Sequence, residues 1–139
     1  MIFSKEDRFL LIKILKNDLE NFDIYDKEQI IKLFKLIFKN IKDKYDLSGL
    51  FDVYIYSNNE YGMIIEINNL CYFDNEVELK LKIQIDSLFF MEIMSNEILE
   101  FDEVYYYKDK FYSYYNDSYD RKIIYKDIDE IINNGIKIC

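Results

Sequence analysis

Between Glu76 and Asp86 the chain alternates without a break: Val77, Leu79, Leu81, Ile83 and Ile85 are apolar, and Glu78, Lys80, Lys82 and Gln84 lie between them. A period of two over that length is a β-strand with one face buried and one wet. It belongs to an antiparallel sheet covered on one side, so the rest of the chain must supply partner strands and a cover. The nearest partners precede it. Phe51, Val53 and Ile55 alternate with Asp52, Tyr54 and Tyr56, the run Ser57-Asn58-Asn59-Glu60 is a turn, and Met63, Ile65 and Ile67 resume the alternation as the second arm of a hairpin.

The cover is expected from the first fifty residues. Leu11, Leu15, Leu19 and Phe22 recur at helical spacing after a weak start signal at Ser4 and Asp7, which predicts a helix from about Lys5 to Glu20. A second helix, from about Lys27 to Lys44, is better specified. Asp26 caps it, Gln29 reaches back to the cap, Tyr25 staples to Ile30, and Ile30, Phe34, Ile37, Phe38, Ile41 and Tyr45 form its apolar stripe.

Beyond the alternating strand, Leu88 to Met94 is a fourth strand or a short buried helix. Val104 to Tyr107 and Phe111 to Tyr115 flank a turn at Lys108-Asp109 as a second hairpin. Arg121 to Tyr125 adds a further strand, and Asp127 with Glu130 opens a short helix that stops near Asn134-Gly135. The expected fold class is therefore α+β. Two N-terminal helices pack on one face of a mainly antiparallel sheet of about five or six strands, with a short C-terminal helix. At 139 residues and 50% apolar content the chain is expected to form a single domain, residues 1–139.

No apolar run approaches the roughly 18 residues that span a bilayer, and the opening MIFSKEDRFLLIKIL lacks the basic cap and small-residue cleavage site of a signal peptide. A cytoplasmic location is the expectation. Cys71 and Cys139 are the only cysteines, too few for a disulfide scaffold or a zinc knuckle. Ala, Thr, Pro, His and Trp are absent while Ile, Lys, Asn, Tyr and Phe abound, as strongly AT-rich coding produces.

Without histidine there is no Ser-His-Asp or Cys-His catalysis and no His-ligated metal. Gly49, Gly62 and Gly135 stand far apart, which removes the phosphate loop and the dinucleotide fingerprint. Two carboxylate patterns stand out. Glu78 and Lys80 match the E-x-K element of magnesium-dependent nucleases, with Asp74, Asp52 or Glu66 as the second acid, but any wet strand face generates that pattern. Asn116, Asp117, Ser118 and Asp120 offer oxygens to calcium, yet a turn held by Asx hydrogen bonds accounts for them. No cofactor is expected.

The charge is distributed unevenly. Residues 1–50 carry ten Lys/Arg against nine Asp/Glu, and residues 51–139 carry eight against eighteen. This disfavours direct binding to nucleic acid or anionic membrane and favours a basic protein partner, in particular one that itself binds nucleic acid. From Glu97 to Asp120 aromatic rings are interleaved with acids, and Glu100, Asp102, Glu103, Tyr105, Tyr106, Tyr107, Asp109, Tyr112 and Tyr114 are the candidate contact residues. In size, acidity and lack of a catalytic constellation the chain resembles anti-CRISPR and toxin-immunity proteins, without sharing a motif with them. The expected function is a non-enzymatic inhibitor that blocks a basic nucleic-acid-binding protein. The alternatives are an immunity protein, the E-x-K nuclease, and a self-associating adaptor that forms a homodimer.

Overall fold

The computed structural model describes residues 2–6 through their backbone and residues 8–116 and 118–138 in full; Asp7, Asp117 and Cys139, named above, lie outside them. The chain divides into two compact units, Met1–Asp86 and Ser87–Cys139.

The first unit is a five-stranded sheet with one long helix. Its strands are β1 (Ile2–Glu6), β2 (Phe9–Leu15), β3 (Gly49–Asn58), β4 (Gly62–Cys71) and β5 (Val77–Gln84), in the order β1-β2-β4-β3-β5. The helix, α1 (Lys27–Tyr45), lies between β2 and β3 in sequence. Its Ile30, Phe34, Phe38 and Ile41 pack against alternate residues of three strands: Leu10, Ile12 and Ile14 of β2, Phe51, Val53 and Ile55 of β3, and Met63, Ile65 and Ile67 of β4. Asp26 starts the helix by accepting the Glu28 N–H at 3.0 Å. Gln29 does not return to Asp26; it accepts the Asp23 N–H at 3.1 Å, and Tyr25 is exposed instead of stapling Ile30.

The expected first helix is overturned. β1 and β2 pair as antiparallel strands, and a short 3-10 turn, Lys16–Leu19, follows β2. The run Phe9 to Leu15 satisfies both periods, since Leu11 and Leu15 are four apart while Leu10, Ile12 and Ile14 are two apart. Pairing with β4 decides the matter, because Leu10, Ile12 and Ile14 stand opposite Ile67, Ile65 and Met63 and are buried with them. The isoleucines also favour the strand through their branched β-carbons.

The expected single, mainly antiparallel sheet under two helices is overturned as well. Among the described residues there are two separate sheets and only one long helix, and β5, whose alternation is the clearest in the sequence, runs parallel to β3. The β3–β4 hairpin occurs as its alternation implies. Asn58 closes its turn, with Oδ1 accepting the N–H groups of Glu60 and Tyr61 at 2.8 Å each.

The second unit is a four-stranded sheet of β6 (Phe90–Ile93), β7 (Tyr105–Tyr107), β8 (Lys110–Tyr114) and β9 (Ile136–Lys137), in the order β6-β8-β7-β9, with a short helix α2 (Ile128–Asn134). The strand expected at Arg121 to Tyr125 is reduced to one bridge between Phe90 and Ile124. Asp127 precedes α2 in a left-handed conformation and makes no side-chain cap, so the expected capping box is absent. Among the described residues no helix is long and apolar enough to cross a membrane.

Gly62 fastens the N-terminal hairpin to β4. Its φ is +128°, and a Cβ there would lie 2.1 Å from the carbonyl oxygen of Ile14. Gly62→Ala is expected to lower the stability of this unit by about 2–4 kcal/mol through strain and backbone displacement. Leu36→Ala, on the exposed side of α1, should stay within about 0.5 kcal/mol. Urea unfolding followed by circular dichroism checks both, and equal midpoints for the two variants would contradict the assignment.

Candidate protein-binding surface

The aromatic hairpin of the second unit is held by a two-residue turn. Lys108 and Asp109 both adopt positive φ, 48° and 65°, the combination that matches the twist of paired strands. Neither is glycine, so the turn carries strain. The short polar side chain of Asp tolerates the left-handed region better than most, and the Tyr106 hydroxyl holds Asp109 by donating to its Oδ1 at 2.9 Å.

Strand register then sorts the rings. Tyr105 stands opposite Tyr112, Tyr106 opposite Phe111, and Phe90 opposite Tyr114, so Tyr105, Tyr107, Tyr112 and Tyr114 share one face while Tyr106 and Phe111 share the other. The first face is closed by Ile128 and Ile131 of α2. Tyr105 is buried there, stacked on Phe90 at 5.6 Å, and Tyr114 meets the edge of Phe90 at 5.1 Å. On the second face Met91, Ile93 and Val104 form a core completed by Ile98, Phe101, Phe111, Tyr115 and Tyr119. Both faces of this small sheet are thus covered from within the unit. The tyrosines serve first as packing.

Their hydroxyls are engaged too. Tyr106 donates to Asp109, Tyr107 is hydrogen-bonded to Glu130, and Tyr114 is hydrogen-bonded to Glu103 and Tyr105. Each of these phenols is held above its ordinary ionisation range. For Tyr106 and Tyr107 the carboxylate is the leading cause; for Tyr114 burial leads and the bond to Glu103 follows. Glu103 is further committed to Lys137 at 3.7 Å, and its carbonyl accepts the Ser113 hydroxyl at 2.7 Å.

Of the nine residues expected to make contact, Tyr105 is buried, Tyr106, Tyr107, Tyr112 and Glu103 are half-buried, and Glu100, Asp102, Asp109 and Tyr114 are exposed. The hairpin gathers the tyrosines with Glu103 and Asp109. Glu100 and Asp102 fall instead at the end of the 3-10 turn Ser95–Glu100, beside a residue the sequence did not single out: Leu99, 97% exposed. Met94, at the start of the same turn, is 66% exposed.

This turn is braced. Glu97 accepts the Met94 N–H at 2.8 Å and forms an ion pair with Arg121, whose guanidinium also donates to the Glu92 carbonyl at 3.3 Å. Arg121, and then the Met94 N–H, hold the Glu97 carboxyl below its usual range. Phe101 packs on Tyr119 at 5.2 Å. Glu92, Ile93, Met94, Arg121, Lys122 and Ile124 line an open hollow of about 380 Å³ beside it. Arg121 was also missed in the sequence, although it is one of only two arginines in the chain.

Glu78 and Lys80 are exposed on β5 with Asp52 opposite Lys80, whereas Glu66 is buried on β4. Asn116 accepts the Ser118 N–H and hydroxyl in an Asx turn. Among the described residues no three His, Cys, Asp or Glu side chains are placed to hold a metal ion.

The shift of Tyr114 has a signed consequence. The unfolded chain ionises this phenol near pH 10, while the folded unit keeps it neutral. Its contribution to stability is therefore complete below about pH 10 and is lost as pH rises toward the folded-state value. Tyr114→Phe should flatten that decline between about pH 9 and 11, checked by denaturant midpoints and by tyrosinate absorbance. Comparison of the chain with protein-family models, with curated proteins and with solved structures finds no match.

Proposed function

We propose that the protein is a non-enzymatic binder that acts by occupying a basic surface of a nucleic-acid-binding protein. The supporting observation is the braced turn Ser95–Glu100, which holds Leu99 almost fully in solvent between Met94 and the exposed carboxylates of Glu100 and Asp102. Leaving a large aliphatic side chain fully solvated forgoes the burial free energy it would gain in a core, about 2 kcal/mol. A pocket on a partner recovers it, and flanking acids select a partner whose pocket is rimmed by Lys and Arg.

The unit that carries the turn, Ser87–Cys139, has eleven Asp/Glu against six Lys/Arg, so its field attracts basic surfaces and repels phosphate. Relative to the expectation from sequence, the anchor passes from the hairpin rings to Leu99. Asp109 and Tyr114 remain as exposed outlying contacts. The chain offers carboxylates where the partner would otherwise meet phosphates, which is inhibition by occupancy and needs no chemistry.

Immobilised wild-type chain and a Leu99→Ser/Glu100→Lys/Asp102→Lys variant, both shown folded by circular dichroism, are to be challenged with lysate of an organism whose coding DNA is AT-rich. A basic protein retained by the first, lost from the second and released by salt is the expected result. Identical retention by both chains removes the turn from the contact.

A further inference from the structure

We propose that the protein forms a symmetric dimer by antiparallel pairing of two β5 strands, centred on Leu79 and independent of the acidic turn. β5 ends the five-stranded sheet and has one hydrogen-bonded neighbour, β3. The carbonyl of Glu76 accepts the Gly49 N–H at 2.8 Å. By the alternation of a strand, the backbone groups of Val77, Leu79, Leu81 and Ile83 then face the free edge. The side chains of these four residues pack against the helix-side core and are only half-buried, so the apolar layer reaches the rim of the sheet unfinished. Glu78, Lys80, Lys82 and Gln84 occupy the opposite face and are exposed.

Lysine on an edge strand ordinarily repels a second strand. Here two acids precede two bases at every second position, Glu76, Glu78, Lys80 and Lys82, a pattern that complements itself when reversed. The two-fold registers centred on residues 78–81, at the middle of the charge pattern, oppose different charges. Centred on Leu81, Lys80 meets Lys82 twice; centred on Lys80, it meets its own copy; centred on Glu78, that carboxylate meets its own copy. Centred on Leu79, Glu78 faces Lys80 and Glu76 faces Lys82, each pair occurring twice.

The backbone agrees with that choice. Leu79 opposite Leu79 and Val77 opposite Leu81 are outward-facing residues that can exchange hydrogen bonds. The charged pairs then fall at the non-hydrogen-bonded positions, where side chains come closest. Within one chain Lys80 lies opposite Asp52 and the Lys82 ammonium sits 5.4 Å from the Tyr54 ring, so both lysines are already steadied on the face they would present. The same pairing would join two sheets into one and continue the half-covered row Val77, Leu79, Leu81 across the junction.

Sedimentation of the full chain over a concentration series reads the outcome. The wild-type chain should dimerise, and Glu78→Lys should weaken the dimer about tenfold, because two attractive pairs become repulsive. The exchange Glu78→Lys/Lys80→Glu restores the complement and should recover most of the loss. Register is read separately in a Cys71→Ser/Cys139→Ser background: Glu78→Cys chains mixed with Lys80→Cys chains should form an intermolecular disulfide that neither forms alone. A wild-type chain that stays monomeric throughout overturns the proposal. So does a dimer indifferent to Glu78→Lys, or cross-linking that is equal in the mixture and in the separate samples.

Discussion

The first unit depends on one contact: the stripe Ile30, Phe34, Phe38 and Ile41 laid across β2, β4 and β3. Three of those strands' alternating rows would otherwise be open to water, and α1 is the long helix that closes them. Phe38 meets both Phe34, at 5.6 Å, and Phe51 of β3, at 5.8 Å, so helix and sheet share a ring cluster as well as aliphatic packing. β2 pairs with β4, some fifty residues onward, so the place of the N-terminal hairpin in the sheet rests on a non-local contact.

This explains which elements could be read from the chain. The β3–β4 hairpin was legible because alternation and an Asx-type turn at Asn58 are both local signals. The long helix was legible from its stripe and from Asp26. Phe9 to Leu15 was misread because its apolar run fits either period, and the arbiter, β4, lies some fifty residues onward. The direction of β5 was misread for a related reason: a period of two reports faces, while direction is set by which neighbour it joins. Division of the strands into two sheets carries no periodic signature either.

In the candidate surface the exposure of three acids was legible and that of Leu99 was not. Glu100, Asp102 and Asp109 stand in solvent as charge dictates, whereas register and α2 turned Tyr105 and its neighbours inward. Leu99 looks, in the run Asn96 to Phe101, like one more core residue beside Ile98. Only the geometry of the turn separates them: Ile98 enters the core of Met91, Ile93 and Val104, and Leu99 points away.

A carboxylate held by a phenol differs from one held by an ammonium, because the phenol is neutral and leaves the negative charge in place. Asp109 and Glu130 are therefore oriented by tyrosine without losing their far field to that bond. An oriented charge of this kind acts at long range and weakens as counterions accumulate, so under the proposed function it would shorten the search of a cationic partner, while the lifetime of the complex would be left to Leu99. That proposal assigns speed of encounter and persistence of attachment to different parts of the same fifty-three residues.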